Sequence, residues 1–126
     1  MKDLNILLIE GNLVRDPELR ETDTGLPFCR FSIANHRSYK KSGEWVNDVN
    51  FINAVVWGRV AENCTRFLKK GDKVRAKGRI EQDNYVNKEG HKVTTYELSA
   101  RSVDFLEKPK KREEVSAAEP VEAVAG

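Results

Sequence analysis

Along the first hundred residues the pattern of apolar and polar positions reads as three strands, a helix and two further strands. Leu4 to Ile9 reads as an opening strand ended by Gly11-Asn12. Arg15-Asp16-Pro17 then turns the backbone, because the residue before a proline is kept out of the helical region. Thr22-Asp23-Thr24-Gly25 marks a turn, Phe28 to Asn35 a second strand, and YKKSGEW a charged Ser-Gly loop tipped with Tyr39 and Trp45. The third strand, VNFINAVVWGR (Val49 to Arg59), puts Phe51, Asn53, Val55, Trp57 and Arg59 on one face and Ile52, Ala54, Val56 and Gly58 on the other. Neither face is conventionally polar. Such a strand is either buried between two layers or has one core face and one face on which a flat ligand stacks.

Arg59 to Leu68 carries the helical pattern: Val60, Asn63, Cys64, Phe67 and Leu68 recur at helical spacing, and Lys69-Lys70-Gly71 give a basic last turn and a stop. Lys73 to Ile80 alternates strictly, with Lys73, Arg75, Lys77 and Arg79 outward. Asn87 to Gly90 turns a hairpin, and Val93 to Phe105 returns as a long last strand, leaving Tyr85 just before the turn. Phe28, Phe31, Phe67 and Phe105 are assigned to the core. The order of elements predicts an all-β OB-fold, a five-stranded Greek-key barrel with one short helix between strands 3 and 4, spanning residues 1–106. Residues 107–126 have no aromatics and few large apolar side chains, and are expected to form a disordered tail. Its KPKKR run, Lys108 to Arg112, reads as a solvated charge run.

Composition narrows the functional classes. A chain of 126 residues supports one core, and no apolar run approaches the roughly 20 residues that span a bilayer. The amino end does not read as a signal peptide, so a cytoplasmic protein without a membrane partner is expected. Cys29 and Cys64 form no CxxC pair, and His36 and His91 complete no zinc motif, so neither a metal site nor a cofactor is expected. Phosphate loops and nucleophile elbows are absent from the sequence, which argues against an enzyme. The net charge of +2 hides local concentration: between Arg59 and Arg79 stand eight Lys and Arg against only Glu62 and Asp72, so an anionic partner is sought there.

Aromatic and basic residues occur together. Phe51 and Trp57 share a strand face, while Tyr39, Trp45 and Tyr85 lie in or beside loops. Phe51 is either core or platform; Trp57 reads as platform because Arg59 follows on the same face. Single-stranded nucleic acid asks for this combination, since bases stack on aromatic rings while Lys and Arg follow the phosphates.

Two segments then carry a resemblance. GNLVRDPELR (Gly11 to Arg20) and WGRVAENCTRFLKKGDKV (Trp57 to Val74) are similar to signatures of the bacterial single-stranded DNA-binding proteins, in one register over about residues 4–106. The resemblance implies an OB-fold homotetramer that wraps single-stranded DNA with little sequence preference, in the nucleoid-associated setting of DNA replication, recombination and repair. It puts base-stacking positions at Tyr39, Phe51, Trp57 and Tyr85, and phosphate contacts at Arg59, Lys69, Lys70 and Lys73 or its neighbour Arg75, with Arg37 and Arg20 as further candidates. The sequence departs from the family at Glu81, Gln82 and Asp83, where many members carry basic residues; a weaker or shifted DNA path near Tyr85 is expected. AEPVEAVAG also lacks the acidic tip and terminal proline-phenylalanine pair through which family members dock replication and repair proteins, so recruitment by the tail is not expected.

Overall fold

The computed structural model describes residues 2–107. They form β1 (Leu7–Leu13), β2 (Glu18–Glu21), β3 (Pro27–Lys41), β4 (Glu44–Trp57), α1 (Gly58–Phe67), β5 (Lys73–Val86) and β6 (Lys92–Glu107). The strands pair in the order β1-β5-β6-β4-β3-β2, and β1 also pairs with β3, so β1, β5, β6, β4 and β3 close into a barrel with β2 on its outside edge. The expected tail, apart from Glu107 at the end of β6, lies outside the described residues, as does its KPKKR run.

Closure falls to β1. Its residues Leu7 to Asn12 pair with Gly78 to Lys73 of β5, and Asn12 and Leu13 cross to Ala34 and Ile33 of β3. Gly11-Asn12, expected to end the first strand, is instead the seam within it. A Cβ on Gly11 would lie 2.3 Å from the Ala34 carbonyl oxygen, so only glycine admits the neighbouring backbone. Gly78 makes a similar approach at the bulge between β5 and β6, where a Cβ would lie 2.0 Å from the Ser99 oxygen.

Alternation sets the barrel interior. Phe31 and Ile33 of β3, Ala54 and Val56 of β4, Val74 and Ala76 of β5, and Leu98 of β6 are buried together. The helix adds Ala61 and Cys64, followed by Leu68 at its C-cap. Of the four phenylalanines assigned to the core, only Phe31 is buried. Phe67 and Phe105 are exposed and lie beside each other, with centroids 6.4 Å apart, and Phe28 belongs to the outer face described below. Both cysteines are fully buried, as small core residues should be, and burial pushes the Cys64 thiol up to about 12.

Strands run further than the sequence pattern suggests. β3 and β4 continue through Tyr39 and Trp45 to a two-residue turn at Ser42-Gly43, whose φ values of 52° and 82° suit a tight hairpin. The YKKSGEW segment is thus a hairpin tip, not a loop. β2 leaves no trace in the sequence pattern, because all four of its residues are exposed and no buried face imposes alternation; pairing with Pro27 to Arg30 holds it in place.

Candidate nucleic-acid interface

The outer face of β4 is stepped. Its residues Phe51, Asn53, Val55 and Trp57 stand opposite Ala34, Ser32, Arg30 and Phe28 of β3. Phe51 is 63% exposed and Trp57 40%, whereas Val55 between them is 2% exposed. Two aromatics therefore rise on either side of a buried floor. The Trp57 ring lies 5.2 Å from that of Phe28, tilted by 33°, and the Arg30 guanidinium sits 5.5 Å from the Phe28 centroid. Cation, phenyl and indole form one continuous stack.

Opposite this face stands the β5–β6 hairpin, which carries Glu81, Asp83, Tyr85 and Glu97. A groove of about 690 Å³ runs between them, with Arg15, Arg30, Asn53, Val55 and Trp57 on the other wall. Arg30 Nε donates to Glu97 Oε2 at 3.2 Å across it. A second groove of about 440 Å³ lies on the other side of Trp57 and is lined by Arg79 and Arg101. Trp57 thus stands between two channels.

The residues expected to bind fall into three settings. Trp57 and Tyr85 share the main groove, and Phe51 lies further along the same face of β4. Tyr39 sits on the β3–β4 hairpin, half-buried, on the opposite face of its strand from Phe28 and Arg30. The Arg37 guanidinium covers its ring at 4.4 Å and also lies 3.7 Å from Asp48. The third group is the bases around the helix and β5. Arg59 does not continue the strand face as expected: Gly58, with φ of 63°, turns the chain into α1, and Arg59 becomes an exposed first-turn residue 3.8 Å from Glu62. Lys69 and Lys70 are exposed in the α1–β5 loop. That loop is fixed by the Lys69 N–H donating to buried Asp72 and the Lys70 N–H donating to Asp16, at 2.9 and 2.7 Å.

The cationic face of β5 is less charged than its sequence. Arg75 Nε donates to Glu10 of β1 at 2.7 Å, Arg79 is bonded to Glu81, and Lys73 is partly buried. Arg15, Arg30 and Glu97 also line the groove, beyond the residues expected from sequence. Alternation along β3 carries a signal for Arg30: with Cys29, Phe31 and Ile33 inward, Arg30 and Ser32 must point out. Nothing local marks Glu97 as its partner. Among the described residues there is no cluster of three or more His, Cys, Asp or Glu that could hold a metal, and no helix long and apolar enough to cross a membrane.

The barrel and its helix define an OB-fold protein, with aromatic and charged side chains along the outer face of its central strands. The fold matches the crystal structure of the small single-stranded DNA-binding protein from Streptomyces coelicolor with a TM-score of 0.67 at 24% identity, over 83% of this chain and 95% of that one. Residues 4–106 match the model of the single-strand binding protein family, and the chain belongs to that family. It is 43% identical over 105 residues to single-stranded DNA-binding protein A of Bacillus subtilis and 39% identical over 106 residues to the single-stranded DNA-binding protein of Treponema pallidum. These alignments cover 82% and 84% of this chain but 60% of each relative, so the chain spans about three fifths of their length. Single-stranded DNA-binding protein 2 of Chlorobaculum tepidum is 35% identical over 116 residues, which is 90% of this chain and 78% of that protein.

Proposed function

We propose that the chain binds single-stranded DNA with little sequence preference, keeping it unpaired and protected during replication, recombination and repair, and that it catalyses no reaction. This binding rests on the exposed rings of Phe51 and Trp57 on β4 and of Tyr85 on the facing hairpin, about a groove walled on one side by Arg15 and Arg30. Each stacked base contributes roughly 1–3 kcal/mol, and every base offers a π-face, so affinity comes without sequence readout. Arginines along the groove, with Lys69 and Lys70 beyond the helix, follow the phosphates and make binding salt-dependent. DNA as the partner implies a cytoplasmic, nucleoid-associated location.

The same proposal includes assembly into a homotetramer. Asn5 exchanges hydrogen bonds of 2.9 Å with the Ile80 backbone, so the segment before β1 continues along β5. It carries Leu4 and Ile6, and β1 adds Leu8, all three exposed. An apolar stripe on an edge segment is a template for a second copy of the chain.

A competition assay tests the binding reading. Labelled oligo-dT bound to the protein is challenged with unlabelled single-stranded DNA, a duplex of the same sequence, and oligo-U. Displacement by single strands, little by duplex and less by oligo-U than by DNA is expected. Equal displacement by duplex would show a binder of phosphate backbone alone, and preference for oligo-U an RNA-binding barrel; either overturns the proposal.

A further inference from the structure

We propose that the Arg30–Glu97 ion pair is a strap across the groove, and that a DNA phosphate replaces Glu97 on Arg30 when the strand seats. This deepens the proposed function and rests on it. Arg30 belongs to β3 and Glu97 to β6, and β4 lies between those strands in the sheet, so the pair spans β4 where Val55 forms the floor. The contact is tertiary, linking residues 67 apart in sequence.

Two features make the arginine the movable partner. Its side chain is 60% exposed while that of Glu97 is 26% exposed, so the carboxylate is the fixed end. Only Nε is engaged by Glu97, which leaves the terminal guanidinium nitrogens with donors in a planar fork that suits phosphate. Arg30 also sits on Phe28, which stacks against Trp57. A base stacked on Trp57 therefore brings its own backbone towards Arg30.

The opposite wall directs the strand. Glu81 pairs with Glu97 and Asp83 with Thr95 in the β5–β6 register, and both acids line the groove. Glu81 is compensated by Arg79, so it is Asp83 that repels phosphates from that wall and leaves them the Arg15 and Arg30 side. Glu97 therefore has two effects: it holds Arg30 over the groove, and it competes with the incoming phosphate. The strap sets affinity below what a free Arg30 would give.

A double-mutant cycle tests this, with oligo-dT affinity measured over a series of salt concentrations. Glu97→Gln should tighten binding about 2- to 5-fold, the scale of a partly exposed ion pair. Arg30→Ala should weaken binding and lower the slope of log K against log salt by about 0.7, one phosphate contact on a single strand. In the Arg30→Ala background Glu97→Gln should have no more effect than Asp83→Asn, which removes the same charge from the same wall. The strap is refuted if Glu97→Gln tightens binding equally with and without Arg30, or if Arg30→Ala leaves affinity and salt slope unchanged. Melting temperatures of all variants separate lost folding from lost binding. A wild-type chain that does not bind oligo-dT refutes the proposed function itself, an outcome distinct from these.

Discussion

Phe51 and Val56, five residues apart on opposite faces of β4, should respond to truncation in opposite ways. Phe51 is 63% exposed, so of the roughly 150 Å² a phenylalanine can bury about 55 Å² is covered in the folded chain. At about 25 cal/mol per Å² its loss costs stability no more than about 1.4 kcal/mol. The same change removes one stacking surface, which weakens single-stranded DNA binding by about 1–3 kcal/mol, or roughly 5- to 150-fold in Kd. Val56 is fully buried in the barrel. Val56→Ala removes two carbons at about 0.8 kcal/mol each and leaves a cavity, so it should cost about 2–3 kcal/mol of stability and leave the binding face untouched. Urea unfolding gives the first quantity and oligo-dT titration at fixed salt the second. If Phe51→Ala lowers the unfolding midpoint as far as Val56→Ala while leaving Kd unchanged, Phe51 is a packing residue and the stepped platform is wrong.

The Cys64 thiol is held near 12 when folded against about 9 when unfolded, so the unfolded chain releases its proton first as pH rises. Cys64 thus contributes a loss of stability above pH 9, about 1.4 kcal/mol per pH unit until pH 12, which urea unfolding of wild type and Cys64→Ala compared at pH 8 and 10 should resolve. Ile6→Lys with Leu8→Lys puts charges on the exposed stripe of the first strand and should shift the sedimentation profile towards monomer; an unchanged profile places the subunit contact elsewhere. Gly11→Ala drives a methyl into the Ala34 carbonyl and should destabilise the barrel by about 1–3 kcal/mol in thermal or urea unfolding; no loss would mean the seam can open without cost.

Much of this architecture was legible because burial leaves a periodic trace. The inward set on β4, the Cys64 and Leu68 positions of the helical pattern and the alternation at the start of β5 all follow from residues facing one core, whereas the same pattern includes exposed Phe67 and omits buried Ala61. Where no core faces a segment, the trace vanishes: β2 is exposed throughout, and β5 from Glu81 to Val86 lies beyond the barrel rim with nothing to bury. The phenylalanines misled for a related reason, since apolar character alone does not separate a buried Phe31 from a Phe28 that stacks on an outward Trp57. Alternation alone places Arg59 on the strand face, because it does not record the turn that Gly58 makes. Charge was the least legible property. Glu10 and Arg75 are 65 residues apart and Arg30 and Glu97 are 67 apart, so the neutralisation of these arginines is a product of the fold alone.

In the proposed binding mode, exposed rings on β4 and β5 receive the bases of a single strand while arginines and lysines receive its phosphates. Titrating the protein with oligo-dT at several salt concentrations, while following tryptophan fluorescence, tests both halves together. Stacking on Trp57 should quench the indole strongly at saturation, and affinity should fall linearly in log–log form as salt rises. A complex that forms with the full salt dependence and no quenching would rule out this mode, because the strand would then be held by its phosphates alone.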